Sequence, residues 1–152
     1  MSRRVYIAGP YDLLEQLKEE AEKIRKAGHT VVSQWLYDSD RAADCGWTAV
    51  KNLEELKKAD VFLAYTQPPD TPYSSGGRHF EAGYAARLYQ DEVVDYLCYI
   101  GPRENVFYHL FVDLSSTEDF LDFLEEERER EYKEDCDYDP DLWGDQHEGF
   151  PD

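Results

Sequence analysis

The chain has 152 residues and a formal net charge of −18 at pH 7. This length suits one domain that buries roughly two-thirds of its unfolded surface. The negative charge argues against a duplex nucleic-acid partner, because binding a duplex requires a basic face. A helix N-terminus or a single arginine could still bind one phosphate of a small ligand.

The cysteines and the N-terminus indicate the compartment. Cys45, Cys98 and Cys136 are odd in number and include no CxxC pair, which is typical of a reduced, cytoplasmic protein. The residues before the first apolar run lack the apolar core of a signal peptide, and no run approaches the ~20 residues that span a bilayer. We therefore expect no membrane partner. His29, His109, His147 and Cys45 show no metal-ligand spacing, so we expect no metal and no other cofactor.

Short apolar runs alternate with amphipathic patterns along the chain. The patterns predict strands at residues 5–8, 29–33, 59–65, 92–100 and 110–112. They predict helices at residues 12–27, 47–58 and 77–89, and a last helix capped by Ser115 or Ser116. On the third helix, Phe80, Gly83, Tyr84 and Leu88 are expected to face the sheet.

This alternation predicts an α/β fold: a single-domain, flavodoxin/Rossmann-like three-layer sandwich with a mainly parallel five-stranded sheet. We place the domain at residues 1–127 and an acidic, flexible tail at residues 128–152. Residues 125–152 hold 13 acidic and 3 basic residues, so much of the charge lies there. Ligands of such folds bind beyond the carboxyl ends of the strands.

One carboxylate stands at that edge. Residues 74–83 (SSGGRHFEAG) join a proline-rich loop to the third helix and place Glu81 about one turn into it. The helix dipole there favours the ionised form. Such a carboxylate can act as a nucleophile toward an electron-poor carbon such as the anomeric carbon of a sugar. It can equally be a glutamate that only stabilises its helix.

Four motifs in order carry a family resemblance. They are residues 5–10 (VYIAGP), 59–64 (ADVFLA), 76–85 (GGRHFEAGYA) and 101–107 (GPRENVF). Together they resemble the nucleoside 2-deoxyribosyltransferase family, including its nucleotide-hydrolysing relatives, and the last motif resembles the short phage-type members. The resemblance spans about residues 4–124.

The resemblance implies a reaction. The family's nucleophile falls on Glu81, which would attack C1′ of a 2′-deoxyribonucleoside or its 5′-monophosphate and form a covalent deoxyribosyl–enzyme intermediate. A second base (transfer) or water (hydrolysis) would then take the sugar. The family's tyrosine falls on Tyr6, which would hold Glu81 by a hydrogen bond. A strand aromatic in the core is the alternative for Tyr6.

One departure from the family bears on the chemistry. An aspartate usually stands eight residues before the position of Asp60, where it contacts the base and moves its proton, but this chain has Asn52 there. An amide can bind a base edge but cannot transfer a proton as a carboxyl does. A catalytically weak or inactive nucleotide-binding or regulatory protein on the same fold is therefore the alternative function.

Further residues are candidates for contacting a small nucleoside or nucleotide. The expected substrate-binding residues are Gly9, Pro10, Trp35, Asn52, Ser75, Gly77, Arg78 and Asn105. Trp35 could stack on a base or pack in the core, and Arg78 could bind a phosphate or pair with a neighbouring acid. Asn105 lies in the segment that in the family often reaches a neighbouring subunit's site, and the resemblance implies a homo-oligomer.

Overall fold

The computed structural model describes residues 2–38, 46–71 and 76–136. The strands are β1 (Arg4–Ala8), β2 (Thr30–Val31), β3 (Val61–Tyr65), β4 (Tyr96–Ile100) and β5 (Val112–Leu114). The helices are α1 (Leu14–Lys26), α2 (Gly46–Lys57), α3 (Gly77–Gln90) and α4 (Thr117–Cys136). Short 3₁₀ helices occupy Tyr11–Leu13, Gln34–Tyr37 and Val106–Leu110.

The five strands form one parallel sheet in the order β2-β1-β3-β4-β5. This is the flavodoxin-like order, so the predicted α/β fold is confirmed. The chain passes from β1 to β2 on one side, and then crosses from β2 over β1 to β3 on the other side. Between β1 and β3, a crevice opens beyond the carboxyl ends of the strands, which is where such folds bind ligands.

The sheet carries helices on both faces because successive strand side chains point to opposite sides. On one face, Tyr6 of β1 and Phe62 of β3 join a buried cluster that includes residues of α2 and α3. The alternate residues of β1, Val5 and Ile7, point to the other face. There α1 lies against the sheet and buries Leu17, Ala21 and Ile24.

Three strands differ most from their predicted bounds. β2 is shorter because the chain turns into the 3₁₀ helix Gln34–Tyr37. β4 begins later than predicted because residues 93 and 94 bond back to the end of α3. The Leu88 carbonyl accepts hydrogen bonds from the N–H groups of Val93 and Val94. β5 begins after residue 110 because the 3₁₀ helix Val106–Leu110 precedes it.

The expected inner face of α3 is partly wrong. Phe80 is 70% exposed and Gly83 is also exposed, whereas Ala82, Ala85 and Leu88 are buried. The buried face of α3 is therefore the one that carries Ala82 and Ala85, and not the one that carries Phe80. α3 carries apolar residues on several sides, so spacing alone does not fix its orientation.

The chain divides into two compact units, Met1–Leu121 and Asp122–Asp152. The first contains the whole sheet.

α4 begins after Ser116, whose hydroxyl accepts the Asp119 N–H at 3.1 Å, so the predicted cap is confirmed. Residues 128–136 are helical, although the sequence assigns them to the tail. Residues 137–152 lie outside the described residues, and a separate flexible tail stays a prediction. No described helix is long and apolar enough to cross a membrane.

Candidate active site

Glu81 lies in the second turn of α3 and faces β1. The Tyr6 hydroxyl donates a hydrogen bond of 3.0 Å to Glu81 Oε1. Tyr6 is fully buried, and its ring stacks on Phe62 with the centroids 6.1 Å apart. Both interpretations of Tyr6 therefore apply: it is a core aromatic residue, and its hydroxyl also binds the Glu81 carboxylate.

Burial governs the protonation of this pair. Burial, assisted by the negative charge of Glu55, raises the pKa of Glu81 to about 7, although the Tyr6 hydrogen bond acts to lower it. The expectation that the helix dipole keeps Glu81 ionised is thus outweighed by burial. Burial and the neighbouring Glu81 charge also raise the pKa of Tyr6, so its hydroxyl stays protonated and donates.

A pocket of about 200 Å³ opens beside Glu81 at the crevice between β1 and β3. Its described lining comprises Gly9, Tyr11, Trp35, Asp38, Thr48, Asn52, Gly77, Arg78 and Glu81. The structure thus brings together six sequence-predicted residues in one place. Gly9 is the first residue after β1. A Cβ at this position would lie 2.7 Å from Leu17 Cδ1, so a larger residue would require Leu17 to move.

Trp35 forms one wall of this pocket. Its indole N–H donates to the Ile7 carbonyl at 2.7 Å, and the residue is half-buried. The hydrogen bond fixes the ring against the end of β1 before any ligand arrives. An aromatic side chain held in this way presents a ready surface on which a planar ring can stack.

α2 contributes polar side chains to the same pocket. Thr48, Asn52 and Glu55 recur at helical spacing along one side, and Thr48 and Glu55 are buried. Among the described residues, Asn52 Oδ1 is a buried acceptor without a hydrogen-bond partner. Glu55 Oε2 accepts the Gln34 N–H at 3.1 Å, and burial raises the pKa of Glu55.

Sequence reasoning did not single out Tyr11, Asp38, Thr48 or Glu55. Two of them carried a signal in the sequence. Thr48 and Glu55 stand with Asn52 at positions i, i+4 and i+7, where a sheet-packing helix normally carries apolar residues. Asp38 lies in a polar, irregular stretch, and only the folded chain shows which way it points.

Arg78 is buried and bound by an internal acid. Glu104 accepts from its Nε at 3.0 Å and from its NH2 nitrogen at 2.7 Å. Glu104 also accepts the Gln67 N–H at 2.7 Å and lies 3.0 Å from His79 Nε2. Arg78 still lines the pocket, but the alternative in which it pairs with an acid is realised.

The remaining predicted contacts lie elsewhere. Asn105 lines a second, mainly apolar cavity of about 470 Å³ with His79 and Phe107, and its side chain accepts the Phe107 N–H at 3.0 Å. Pro10 is buried but is not among the described lining residues of either cavity. Ser75 lies outside the described residues.

Comparisons with known proteins bear on the fold. A 2-deoxyribosyltransferase from Bacillus psychrosaccharolyticus matches with a TM-score of 0.58 and 18% identity, over 78% of this chain and 90% of that chain. A conserved protein from Enterococcus faecalis V583 matches with a TM-score of 0.58 and 14% identity, over 84% and 99%. A CMP N-glycosidase from Clostridium botulinum matches with a TM-score of 0.48 and 18% identity, over 81% and 98%. The sequence matches no protein-family model and no curated protein. At these identities the likeness is one of fold.

Proposed function

We propose that this protein cleaves or exchanges the N-glycosidic bond of 2′-deoxyribonucleosides or their 5′-monophosphates. The observation that carries the proposal is the hydrogen bond between Tyr6 and Glu81, which holds a half-buried carboxylate at a pocket with an aromatic wall. A fold shared with a 2-deoxyribosyltransferase supports it.

Glu81 is the nucleophile in this proposal. In its ionised form, Oε2 remains for attack on C1′ while Oε1 accepts from Tyr6. The C1′–O bond forms as the C1′–N bond breaks, and the bonding electron pair leaves with the base. The deoxyribosyl ester is then opened by water or by a second base. The low dielectric of the site destabilises the carboxylate in the empty pocket and so favours its reaction with a developing cation.

The base is expected to stack on Trp35. The hydrogen bond from Trp35 to Ile7 fixes the indole. The side chain therefore loses little conformational entropy when a planar ring binds to it. Asn52, on α2, offers an amide to the base edge. Gly9 and Gly77 keep the backbone near Glu81 open to the sugar.

The experiment that tests this function follows the released base. Purified protein is incubated with a panel of deoxynucleosides and deoxynucleoside 5′-monophosphates, with and without an acceptor base, and products are separated by chromatography. We expect free or exchanged base with the wild type and none with Glu81→Gln. Intact-mass measurement should detect one deoxyribosyl group on the wild type. Equal base release by both proteins would remove Glu81 from the mechanism.

A second candidate function is a nucleotide-binding or regulatory protein with weak or no turnover. Asn52 favours it, because an amide replaces the carboxyl expected to move the proton of the leaving base. Its signature would be ligand binding by calorimetry without base release, even for Asn52→Asp. Base release regained in that variant would instead indicate an enzyme that has lost its proton donor.

We further propose that the protein forms a homo-oligomer. The second cavity is mainly apolar, and Phe107 and Leu110 on its rim are 72% and 66% exposed. A second copy of the chain could bury this surface. Light scattering on the eluting protein should give more than one chain mass, and Leu110→Asp should lower it. A wild type of one chain mass would refute this proposal.

A further inference from the structure

α2 holds the 3₁₀ helix Gln34–Tyr37 at both of its ends. Glu55 accepts the N–H of Gln34 at 3.1 Å, and the Lys51 ammonium donates to both oxygens of Asp38 at 3.1 and 3.2 Å. Lys51 and Glu55 are four residues apart, so they project from neighbouring positions on α2. Asp38, the residue that ends the 3₁₀ helix, is thereby fixed in place.

The Asp38 carboxylate lies on the pocket that also contains Glu81. Its side chain is 22% exposed, and among the described lining residues it is the one carboxylate besides Glu81. Lys51, which binds it, precedes Asn52 in α2, and Asn52 lines the same pocket. The pocket therefore contains a carboxylate, Asp38, in addition to the amide of Asn52, which cannot supply a proton.

We propose that Asp38, with Lys51, is the acid that protonates the departing base in the reaction proposed above, on which this inference rests. Asp38 would be a catalytic residue that contacts the base, and Lys51 would be its proton source. The carboxyl group has moved, in this view, from the helix position of Asn52 to the adjoining 3₁₀ helix.

The step balances within the pair. One ammonium proton of Lys51 passes to an oxygen of Asp38, which leaves a neutral amine and a carboxylic acid. The carboxylic acid gives this proton to a ring nitrogen of the base as the C1′–N bond breaks and its electron pair goes to the base. Glu81 closes the C1′–O bond, and Asp38 returns to a carboxylate. Lys51 regains its proton from water after the base has left.

The test compares leaving groups that do and do not need a proton. The base of 2′-deoxyguanosine leaves as an anion unless an acid protonates it, whereas the base of 7-methyl-2′-deoxyguanosine is already cationic and leaves neutral. Both are used in the phosphorylation state that the wild type cleaves. For Asp38→Asn we expect kcat/KM on the neutral base to fall by about 10²-fold or more, and by far less on the cationic base. Equal losses on both substrates, or no loss on either, would overturn the proposal.

Lys51→Met provides a second variant and should show the same selectivity. Asp91→Asn is the matched control, because Asp91 pairs with Arg87 at the exposed end of α3 and does not line the pocket. Circular dichroism verifies that each variant is folded. If Asp38→Asn does not fold, a non-selective loss in Lys51→Met overturns the proposal by itself.

Binding separates this inference from the proposed function. A wild type that cleaves no substrate refutes the proposed function, and calorimetry with free adenine then tests the position of Asp38. We expect Asp38→Asn to weaken adenine binding about tenfold or more, because a charge-assisted hydrogen bond is lost. An unchanged affinity means that Asp38 does not contact the base, whatever the turnover.

Discussion

Tyr6 and Glu81 are 75 positions apart in the chain and are joined by one hydrogen bond of 3.0 Å from the phenol to Oε1. It connects the centre of the sheet to the second turn of α3. Because Tyr6 also stacks on Phe62, the orientation of the carboxylate is tied to the core.

Tyr6→Phe retains the ring but removes the donor. A hydrogen bond to a charged group contributes about 1.5–3 kcal/mol, so we expect kcat/KM for base release near pH 7 to fall about ten- to hundredfold. Tyr65→Phe is the control, because it removes a buried hydroxyl that binds Thr117 instead. Similar losses in both variants would show that a general loss of packing is responsible.

The rate of base release should depend on the ionisation of Glu81. Its pKa is raised to about 7 by burial, and only the carboxylate can attack. We expect kcat/KM to rise tenfold per pH unit below pH 7 and to level off above it, measured between pH 5 and 9. In Tyr6→Phe the rise should move to higher pH, because the hydrogen bond that lowers the pKa is absent. A rate that stays the same across this range would contradict the assignment.

Glu81 should also destabilise the fold above neutral pH. Its pKa in the native state, about 7, exceeds the ordinary value of 4.5, so the native state binds more protons and stability falls as pH rises from 4.5 to 7. Glu81→Gln should therefore raise the free energy of unfolding at pH 8 by about 1–3 kcal/mol, and by little at pH 4. Urea denaturation at both pH values measures this, and an equal gain at both would indicate another cause.

The Arg78–Glu104 pair should matter for stability. Side-chain exposure is 6% and 5%, so removing one partner leaves the other charge buried. Arg78→Met is expected to cost about 3–5 kcal/mol, and the double variant Arg78→Met/Glu104→Gln less than that. Urea denaturation of the two single variants and the double variant forms the cycle. Additive losses would mean that the two side chains stabilise the fold independently.

Two glycines should respond oppositely to alanine. Gly101 has a φ of +117°, and a Cβ there would lie 2.5 Å from Thr66 Oγ1, so Gly101→Ala should destabilise by about 1–3 kcal/mol. Gly83 lies inside α3, where an added Cβ would point into open space, so Gly83→Ala should stabilise by about 0.5–1 kcal/mol. Thermal denaturation gives both signs.

The sequence predicted the sheet because its central strands lie in apolar runs between turn residues. It predicted the place of Glu81 because the glycines at 76 and 77 mark where α3 begins. It could not predict the pKa of Glu81, which depends on burial by residues distant in sequence. The inner face of α3 was equally out of reach, because Phe80 and Ala82 are both apolar and only packing chooses between them.

The contact between α2 and the end of the 3₁₀ helix was also beyond prediction from the sequence. Lys51 and Asp38 are 13 positions apart, and nothing in either segment indicates that they pair. Arg78 had two open interpretations in the sequence, and the choice between them required the position of Glu104. The pairing of side chains that are distant in sequence is set by the fold, and the local spacing of residues does not predict it.

The attachment of Trp35 and Asp38 has a consequence for protein engineering. Both belong to a short segment that is anchored by hydrogen bonds to Ile7, Lys51 and Glu55, while Tyr6, which orients the carboxylate, sits in the central sheet. The part that would read the base is thus separable from the part that would react with the sugar. A library randomised at Asn52, which lines the pocket, with Trp35, Asp38 and their anchoring residues retained, should change base preference while the nucleophile keeps its geometry.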